Sequence, residues 1–566
     1  MDTSQPLRST SSTVRLYDTT LRDGTQREGL SFSCKDKIRI AKRLDEFGFT
    51  FVEGGWPGSN PKDQEFFERT KYLELSNAKL TAFGSTRRAN KSPAEDPQIT
   101  SLLGAETSVC TVFGKSSLLH VCEVLRTTRE ENLDMIEDTV RFLRSQGRRV
   151  LYDAEHFFDG YKEDAAYAVE TLWAAIRGGA EVLVLCDTNG GSLPWEIEPV
   201  VRSLVDQLDD HPLGIHAHDD TGCGVANSLA AIRGGARHVQ GTINGYGERC
   251  GNANLCAIVP NLELKLNLEC VGSEKLKELF DIAHMVSELA NMLPNEHMAY
   301  VGHSAFAHKG GVHVAAIRRA PSSYQHVDPE KVGNRCRVVV SELSGRGNVL
   351  SKAEELGLLV DERVGLEILE EVKANESKGM AYEAAEASFA LLTARKSNGY
   401  QVPFELLDYQ VTVGKRTAES ASSDASVPYV EATVRVAVGD AVLHTASSGN
   451  GPVSALDKAL RKALTTTYPA IEAIQLTDYK VRILDGKDGT NATTRVLIDH
   501  RKHGRSFSTV GACANIIAAS LAALVDGIEY GLMLDSEAQE RKGPQWIGRK
   551  DHPAETTATR MRRTIS

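Results

Sequence analysis

Short β-branched apolar runs alternate with longer stretches of helical period over the first half of this 566-residue chain, the pattern of βα units around a parallel sheet. The runs predict strands at Val14–Tyr17, Thr50–Glu53, Leu80–Phe83, Ser108–Phe113, Val150–Ala154, Val182–Cys186, Gly214–Ala217 and His238–Thr242. Helices are expected between them, among others over Asn132–Ser145 and Ala165–Arg177. Eight such units in about 260 residues have the size and rhythm of a closed TIM-type βα barrel, which carries its site at the C-terminal strand ends. An open doubly wound sheet is the alternative. After the barrel the period stays helical over about 275–400, in LKELFDIAHMVSELANML, VDERVGLEILEEVKANE and AYEAAEASFALLTARK. From about 401 to 533 it turns to strands, and YVEATVRVAVGDAVLHTASSGNGPVSALDKALRKAL and ATTRVLIDHRKHGRSFSTVGACANIIAASLAALVDGI share one order: strand, hairpin, strand, Gly-containing turn, amphipathic helix. The chain is therefore read as α/β, with segments at 1–13 (disordered), 14–274 (barrel), 275–400 (helical linker subdomain), 401–533 (a small α+β domain with an internal repeat) and 534–566 (a charged, disordered tail).

The segments following the predicted strands are unusually polar: DTTLRDGTQREG, DAEHFFDG, CDTNGG, HAHDDTG and NGYGERCGNAN. Each alone reads as a loop of turn formers, but in a barrel all five converge on one mouth. His216 and His218, two apart on a strand end, present both imidazoles to one side. Two histidines with a carboxylate, for which Asp23 is the natural candidate, suit a divalent ion (Mn, Mg, Zn or Co) acting as a Lewis acid. A core or surface histidine pair is the competing reading. Asp219 and Asp220, next in sequence, are candidates to orient the imidazoles from behind, or solvated turn residues.

Composition excludes other classes. With 41% hydrophobic and 25% charged residues the chain is globular, and no apolar run approaches the ~18 residues of a membrane span. A net charge of -11 without a basic stripe argues against nucleic acid. Ten scattered cysteines without a C-x-x-C pair, and a polar N-terminus without a secretory core, point to free thiols in the cytoplasm.

Three stretches together, LYDTTLRDGTQREG, HAHDDTGCGVANS and NGYGERCGNANL, resemble the DRE-containing metallolyase superfamily in its Claisen-condensing branch of 2-isopropylmalate, homocitrate and citramalate synthases. GGWPGSNPKD and AEHFFDGYK are most similar to the citramalate synthases of that branch. The resemblance spans about residues 14–533 and implies Asn252 as a further metal ligand beside Asp23, His216 and His218. It implies Arg22 at the keto oxygen of the substrate, where a fixed positive charge meets developing negative charge, with a structural salt bridge as the alternative role. Thr188 would bind the keto-acid carboxylate, and a strand-end turn former is its plain alternative. His313 would be the base, with Glu155 assisting, His308 as its rival and Tyr324 near the same proton path.

The implied reaction joins acetyl-CoA to pyruvate and hydrolyses the thioester. The implied assembly is a homodimer, because His313 lies beyond the barrel and in that branch serves the neighbouring subunit's mouth. The implied effector at the repeated domain is isoleucine. GNGP at 449–452 suits an anion at a helix start or simply a proline-led helix entry. Within the branch, 2-isopropylmalate synthesis from 2-ketoisovalerate is the alternative, separated only by a few side chains of the pocket. A C–C bond-cleaving lyase and an amino-acid sensor are more distant alternatives.

Overall fold

The computed structural model describes residues 13–397, 399–415 and 428–540. The polar lead-in, the Ser/Ala/Asp-rich stretch TAESASSDAS and the charged tail from 541 onward lie outside the described residues. The chain forms two compact units: one of residues up to Ala307 with Ala320–Arg337, the other of His308–Arg319 with Val338 onward. The expected helical segment 275–400 is thus divided between them.

In the first unit β1 (Arg15–Asp18), β2 (Phe51–Gly55), β3 (Lys79–Ser85), β4 (Val109–Lys115), β5 (Arg149–Glu155), β6 (Val182–Asp187), β7 (Leu213–Ala217) and β8 (His238–Gly241) pair in sequence order. β8 closes in parallel on β1, with Leu16 opposite Val239 and Asp18 opposite Gly241. Every expected strand overlaps its observed one, and the open-sheet alternative falls away. These strands are buried on both faces, which is why they read as continuous apolar runs; VLVLCD of β6 is buried throughout. Tyr17, Phe51, Val109, Leu151, Val182 and Val184 fill the barrel interior. Ile40, Leu44, Leu102, Ile136, Val140 and Leu172 sit between strands and outer helices, where a Leu→Ala change costs about 2–5 kcal/mol.

The helices begin where side chains cap them. Thr128 accepts the Glu131 N–H at the start of Arg129–Ser145, and Asp164 accepts the Tyr167 N–H at the start of Ala165–Gly178. The latter ends on Gly179 at φ 95°, a left-handed stop.

In the second unit two similar substructures follow three helices, Arg346–Glu355, Glu362–Ser377 and Glu386–Lys396. The first has antiparallel strands Glu405–Lys415, Pro428–Val438 and Ala441–Gly449 and helix Pro452–Leu464; the second has Gln475–Ile483, Thr494–Lys502, Arg505–Cys513 and helix Ile516–Glu540. The repeat extends to detail: the first strand of each slips register at the same place, between Leu406 and Asp408 and between Leu476 and Asp478. Each leading strand is mostly exposed, so its period is weaker than that of its partners. At GNGP, Gly451 precedes the helix and Pro452 opens it, the helix-entry reading.

Two expectations need correction. Ile516–Asp535 is long and apolar enough to cross a membrane by length and composition, although no such run was expected. It is instead a core helix, burying Ala519, Leu521, Ala523, Leu524 and Ile528 in its own unit. The same helix continues to Glu540, into the segment assigned to the tail, because Met533 and Leu534 still pack on the core.

Candidate active site

The loop after β1 is knotted by its own threonines. Asp18 accepts the Thr20 N–H at 3.0 Å and the Thr20 hydroxyl at 2.7 Å, and Thr20 Oγ1 accepts the Ile243 N–H at 2.8 Å. The Thr19 carbonyl accepts N–H groups from Arg22 and Gly24. This tight turn holds Arg22 and Asp23 over the C-terminal mouth, where a cavity of about 190 Å³ opens.

His216 and His218 reach the same cavity from the end of β7. His216 Nε2 lies 3.3 Å from Asp23 Oδ2 and 3.3 Å from His218 Nε2, and His218 Nε2 lies 3.9 Å from Asp23 Oδ2. All three residues are buried, and one ligand atom from each falls within 4.8 Å of the others. Asn252 runs alongside His218 through an antiparallel backbone bridge. Its amide donates to the Tyr246 carbonyl at 3.2 Å, while Asn252 Oδ1 and Asp23 Oδ1 are buried without a hydrogen-bond partner. Orphaned buried acceptors are costly unless something binds them. The carboxylate and two imidazoles match a divalent cation in type and spacing, and the Asn252 amide oxygen matches it in type, although Asn252 is not among the cavity-lining residues.

Electrostatics agree. Burial opposes ionisation of Asp23, yet neighbouring Arg22 and the imidazoles hold its carboxyl well below the usual range. Burial lowers His218 to about 4, helped by His216. His216 is buried as well, but its hydrogen bond to Asp23 moves its pKa upward.

Arg22 makes the structural salt bridge that was one of its two readings, and it also lines the cavity. Its Nε pairs with the fully buried Glu53, its Nη1 lies 3.4 Å from Asp23 Oδ2, and its guanidinium stacks 3.7 Å above the Phe83 ring while lining the cavity. Glu53 also accepts from Tyr17 and from Thr19 Oγ1. Thr188 and Glu155 line the cavity too. Thr188 Oγ1 accepts the His156 N–H at 2.8 Å, and Glu155 pairs with Lys115.

Phe83, Phe113 and Trp56 form a further, aromatic wall. The two phenylalanines stack at 5.4 Å, and Trp56 meets them edge-on at 5.7 and 5.6 Å. Trp56 is anchored from behind: Asp63 accepts its N–H at 2.9 Å and pairs with buried Lys37, which also donates to the Gly54 carbonyl. Gly55, at φ 149°, leaves the room this needs; a Cβ there would fall 2.4 Å from the Asp63 carboxyl carbon.

The cavity brings together Arg22, Asp23, Glu155, Thr188, His216 and His218. Tyr324 is half exposed and not among its lining residues. His313 belongs to the second unit, on helix Gly311–Arg319, with His308 of the same unit lying near enough to lower in pKa under its influence, after burial.

Asp219 and Asp220 do not orient the imidazoles. Asp219 accepts the Gly224 N–H at 2.7 Å, and Asp220 is engaged by Arg249 at 2.8 and 2.9 Å. The turn after β7 carries both away toward the loop after β8, and Gln240 is the group that meets His216 Nδ1, at 2.8 Å. Gln240, Asp153 and Glu53 escaped the sequence reading, although a polar residue inside a strand buried on both faces was a usable signal.

Family models divide the chain into three. One described as HMGL-like matches residues 13–286, one described as homocitrate synthase post-HMGL domain-like matches 300–380, and one described as LeuA allosteric (dimerisation) domain matches 383–532. An (R)-citramalate synthase of Geobacter sulfurreducens is 51% identical over 533 residues, covering 94% of this chain and 100% of that protein. That of Aquifex aeolicus is 51% identical over 526 residues, covering 93% and 98%. A 2-isopropylmalate synthase of Methanocaldococcus jannaschii is 30% identical over 525 residues, covering 91% and 94%. With relatives this similar over nearly its whole length, the chain belongs to the family of citramalate and 2-isopropylmalate synthases built on an HMGL-like barrel.

Proposed function

We propose that the protein is an (R)-citramalate synthase, condensing acetyl-CoA with pyruvate and hydrolysing the thioester to (R)-citramalate and CoA. The observation that carries the chemistry is the mouth itself: Arg22 and Thr188 share one cavity with Asp23, His216 and His218, and Asp23 keeps an unpaired buried oxygen. Asp23, His216, His218 and Asn252 are the residues that would hold a divalent ion, which when bound supplies Lewis-acid polarisation of the keto acid.

The roles of Thr188 and Arg22 follow from what each side chain already does. The Thr188 oxygen is occupied by the His156 N–H, so its hydroxyl hydrogen is left to donate to the keto-acid carboxylate. Arg22 is held rigid by Glu53 and Phe83, and its fixed charge suits the keto oxygen as negative charge develops there. A base must take a proton from the acetyl methyl group. We assign this to His313, with Glu155 and Tyr324 on the proton path, on the strength of the family resemblance. The enolate carbon then bonds to C2 of pyruvate, and the keto oxygen gains a proton. Water adds to the thioester carbonyl, the C–S bond breaks and CoA leaves as the thiol.

Trp56, Phe83 and Phe113 give the cavity an aromatic wall, in keeping with a small apolar group on the keto acid. The lower identity to the isopropylmalate synthase points the same way. The match of 383–532 to a LeuA allosteric (dimerisation) domain supports a homodimer with an amino-acid effector, for which we propose isoleucine. All ten cysteines are free, in keeping with a cytoplasmic enzyme.

The test is release of free CoA from acetyl-CoA with pyruvate, 2-ketobutyrate, 2-ketoisovalerate or 2-ketoglutarate, with and without a chelator. Turnover is expected with pyruvate and loss of it on chelation; no turnover of pyruvate sinks the reading. The same assay with isoleucine or leucine tests the effector.

A further inference from the structure

From His216 a hydrogen-bonded chain runs through Gln240 to Asp153, a cavity-lining residue to which the roles above assign nothing. His216 Nδ1 lies 2.8 Å from Gln240 Oε1, and Gln240 Nε2 donates to Asp153 Oδ1 at 3.0 Å. All three side chains are buried, on β7, β8 and β5. With Gln240 Nε2 donating to Asp153, the NH2 side of the amide faces the acid. That leaves Oε1 facing the imidazole. An oxygen there can only accept, so Nδ1 must carry the hydrogen, and the neutral imidazole that a cation requires then has its lone pair on Nε2. Nε2 is the atom 3.3 Å from both Asp23 and His218 Nε2.

We propose that Gln240 and Asp153 are positioning residues that fix the tautomer and ring angle of His216, and thereby set the affinity of the Asp23–His216–His218 cluster for a divalent cation. The inference rests on reading that cluster as a metal site. His218 makes the contrast: its Nδ1 is buried without a partner, so the chain behind His216 is the imidazole support seen among the described residues. A glutamine alone is symmetric enough to flip; its bond to Asp153 removes that freedom. Partners of this kind are worth roughly 10–100-fold in metal affinity.

The experiment is calorimetric titration of Mn²⁺ into metal-free full-length protein, with thermal unfolding of each metal-free variant alongside. Gln240→Met keeps the volume and removes both hydrogen bonds; it is expected to weaken Mn²⁺ binding roughly 10–100-fold. Gln240→Glu keeps an acceptor for Nδ1, with one proton shared between the new carboxyl and Asp153 so that two carboxylates do not meet, and is expected to restore most of the affinity. Asp153→Ala frees the amide to turn its NH2 toward His216, and is expected to weaken binding even with Gln240 in place. Should Gln240→Met unfold, Asp153→Ala carries the comparison. Wild-type affinity in both Gln240→Met and Asp153→Ala overturns the inference. So does an equal loss in Gln240→Met and Gln240→Glu, which would mean packing alone. Failure of the metal-site reading is distinct: the wild type and His216→Ala would then bind Mn²⁺ equally poorly.

Discussion

The barrel mouth and the repeated substructures of the second unit both bury charge, and they treat it oppositely. In the second unit Glu529 is almost fully buried and every partner is supplied: Arg395 at 2.5 and 3.1 Å and the Tyr400 hydroxyl at 3.0 Å. Asp526, on the same helix, takes Arg395 at 2.8 Å and the Ser388 hydroxyl at 2.8 Å. Buried Lys502 reaches Asp535 and the Gly531 carbonyl. At the mouth, by contrast, Asp23 and Asn252 each keep an oxygen without a partner. Buried charge with every oxygen paired specifies how a helix docks; a buried oxygen left without a partner, held in place by a rigid barrel, is capacity kept for a ligand.

The most damaging way to probe that contrast is at Asp23. Asp23→Ala should abolish Mn²⁺ binding and lower kcat on the order of 10³-fold, while Tm stays near wild type, the lost pairing with Arg22 being offset by removal of a buried oxygen without a partner. A large fall in Tm would place Asp23 among the structural charges. Arg395→Met does the converse. It leaves Glu529 buried without its cation, at a cost of about 3–5 kcal/mol, read as a lower denaturation midpoint with Mn²⁺ affinity unchanged.

Arg22→Lys sharpens the comparison, because Arg22 belongs to both kinds of charge. The ammonium can still balance Glu53 but cannot reproduce the stacked, planar fork. Loss of roughly 10²-fold in kcat with little change in Tm is expected, and a stability loss without a rate loss would reduce Arg22 to a salt bridge. Thr188→Val removes one hydroxyl donor aimed at the substrate. KM for pyruvate should rise by about tenfold, for the ~1.5 kcal/mol of a hydrogen bond to a charged group.

The smallest effect concerns two buried histidines, one in each unit. Burial lowers His500 to about 4 and His238 to about 3, against an ordinary 6.5. Both are neutral in the folded protein, so the unfolded chain binds protons that the folded one refuses as pH drops below 6.5. Stability is therefore complete above that pH and declines toward pH 4. A Tm profile that His500→Phe leaves just as steep between pH 6.5 and 4 would remove His500 from this account.

The barrel was legible because a strand buried on both faces has to be apolar: VLVLCD and its seven counterparts announce themselves. The C-terminal repeat was legible in its buried strands and first helix. It went unread where a strand is exposed nearly throughout, as in Gln475–Ile483, and ended too early where the last helix runs past 533. At the mouth the sequence offered the residues adjacent to a motif, and adjacency misled: Asp219 and Asp220 follow His218 directly, yet the turn hands them to Gly224 and Arg249.

The sequence by itself determined the βα period, the H-x-H spacing that places two imidazoles on one side of a strand, and the carboxylate and arginine of the first loop. These are local facts, set by the two-residue repeat of a strand. Closure of the barrel decided the rest. It brought Gln240 and Asp153, 87 positions apart, into a 3.0 Å hydrogen bond behind His216. It also set Trp56, Phe83 and Phe113 from successive strand ends into one wall. Such pairings depend on register between elements remote in the chain, which only the packed tertiary structure fixes.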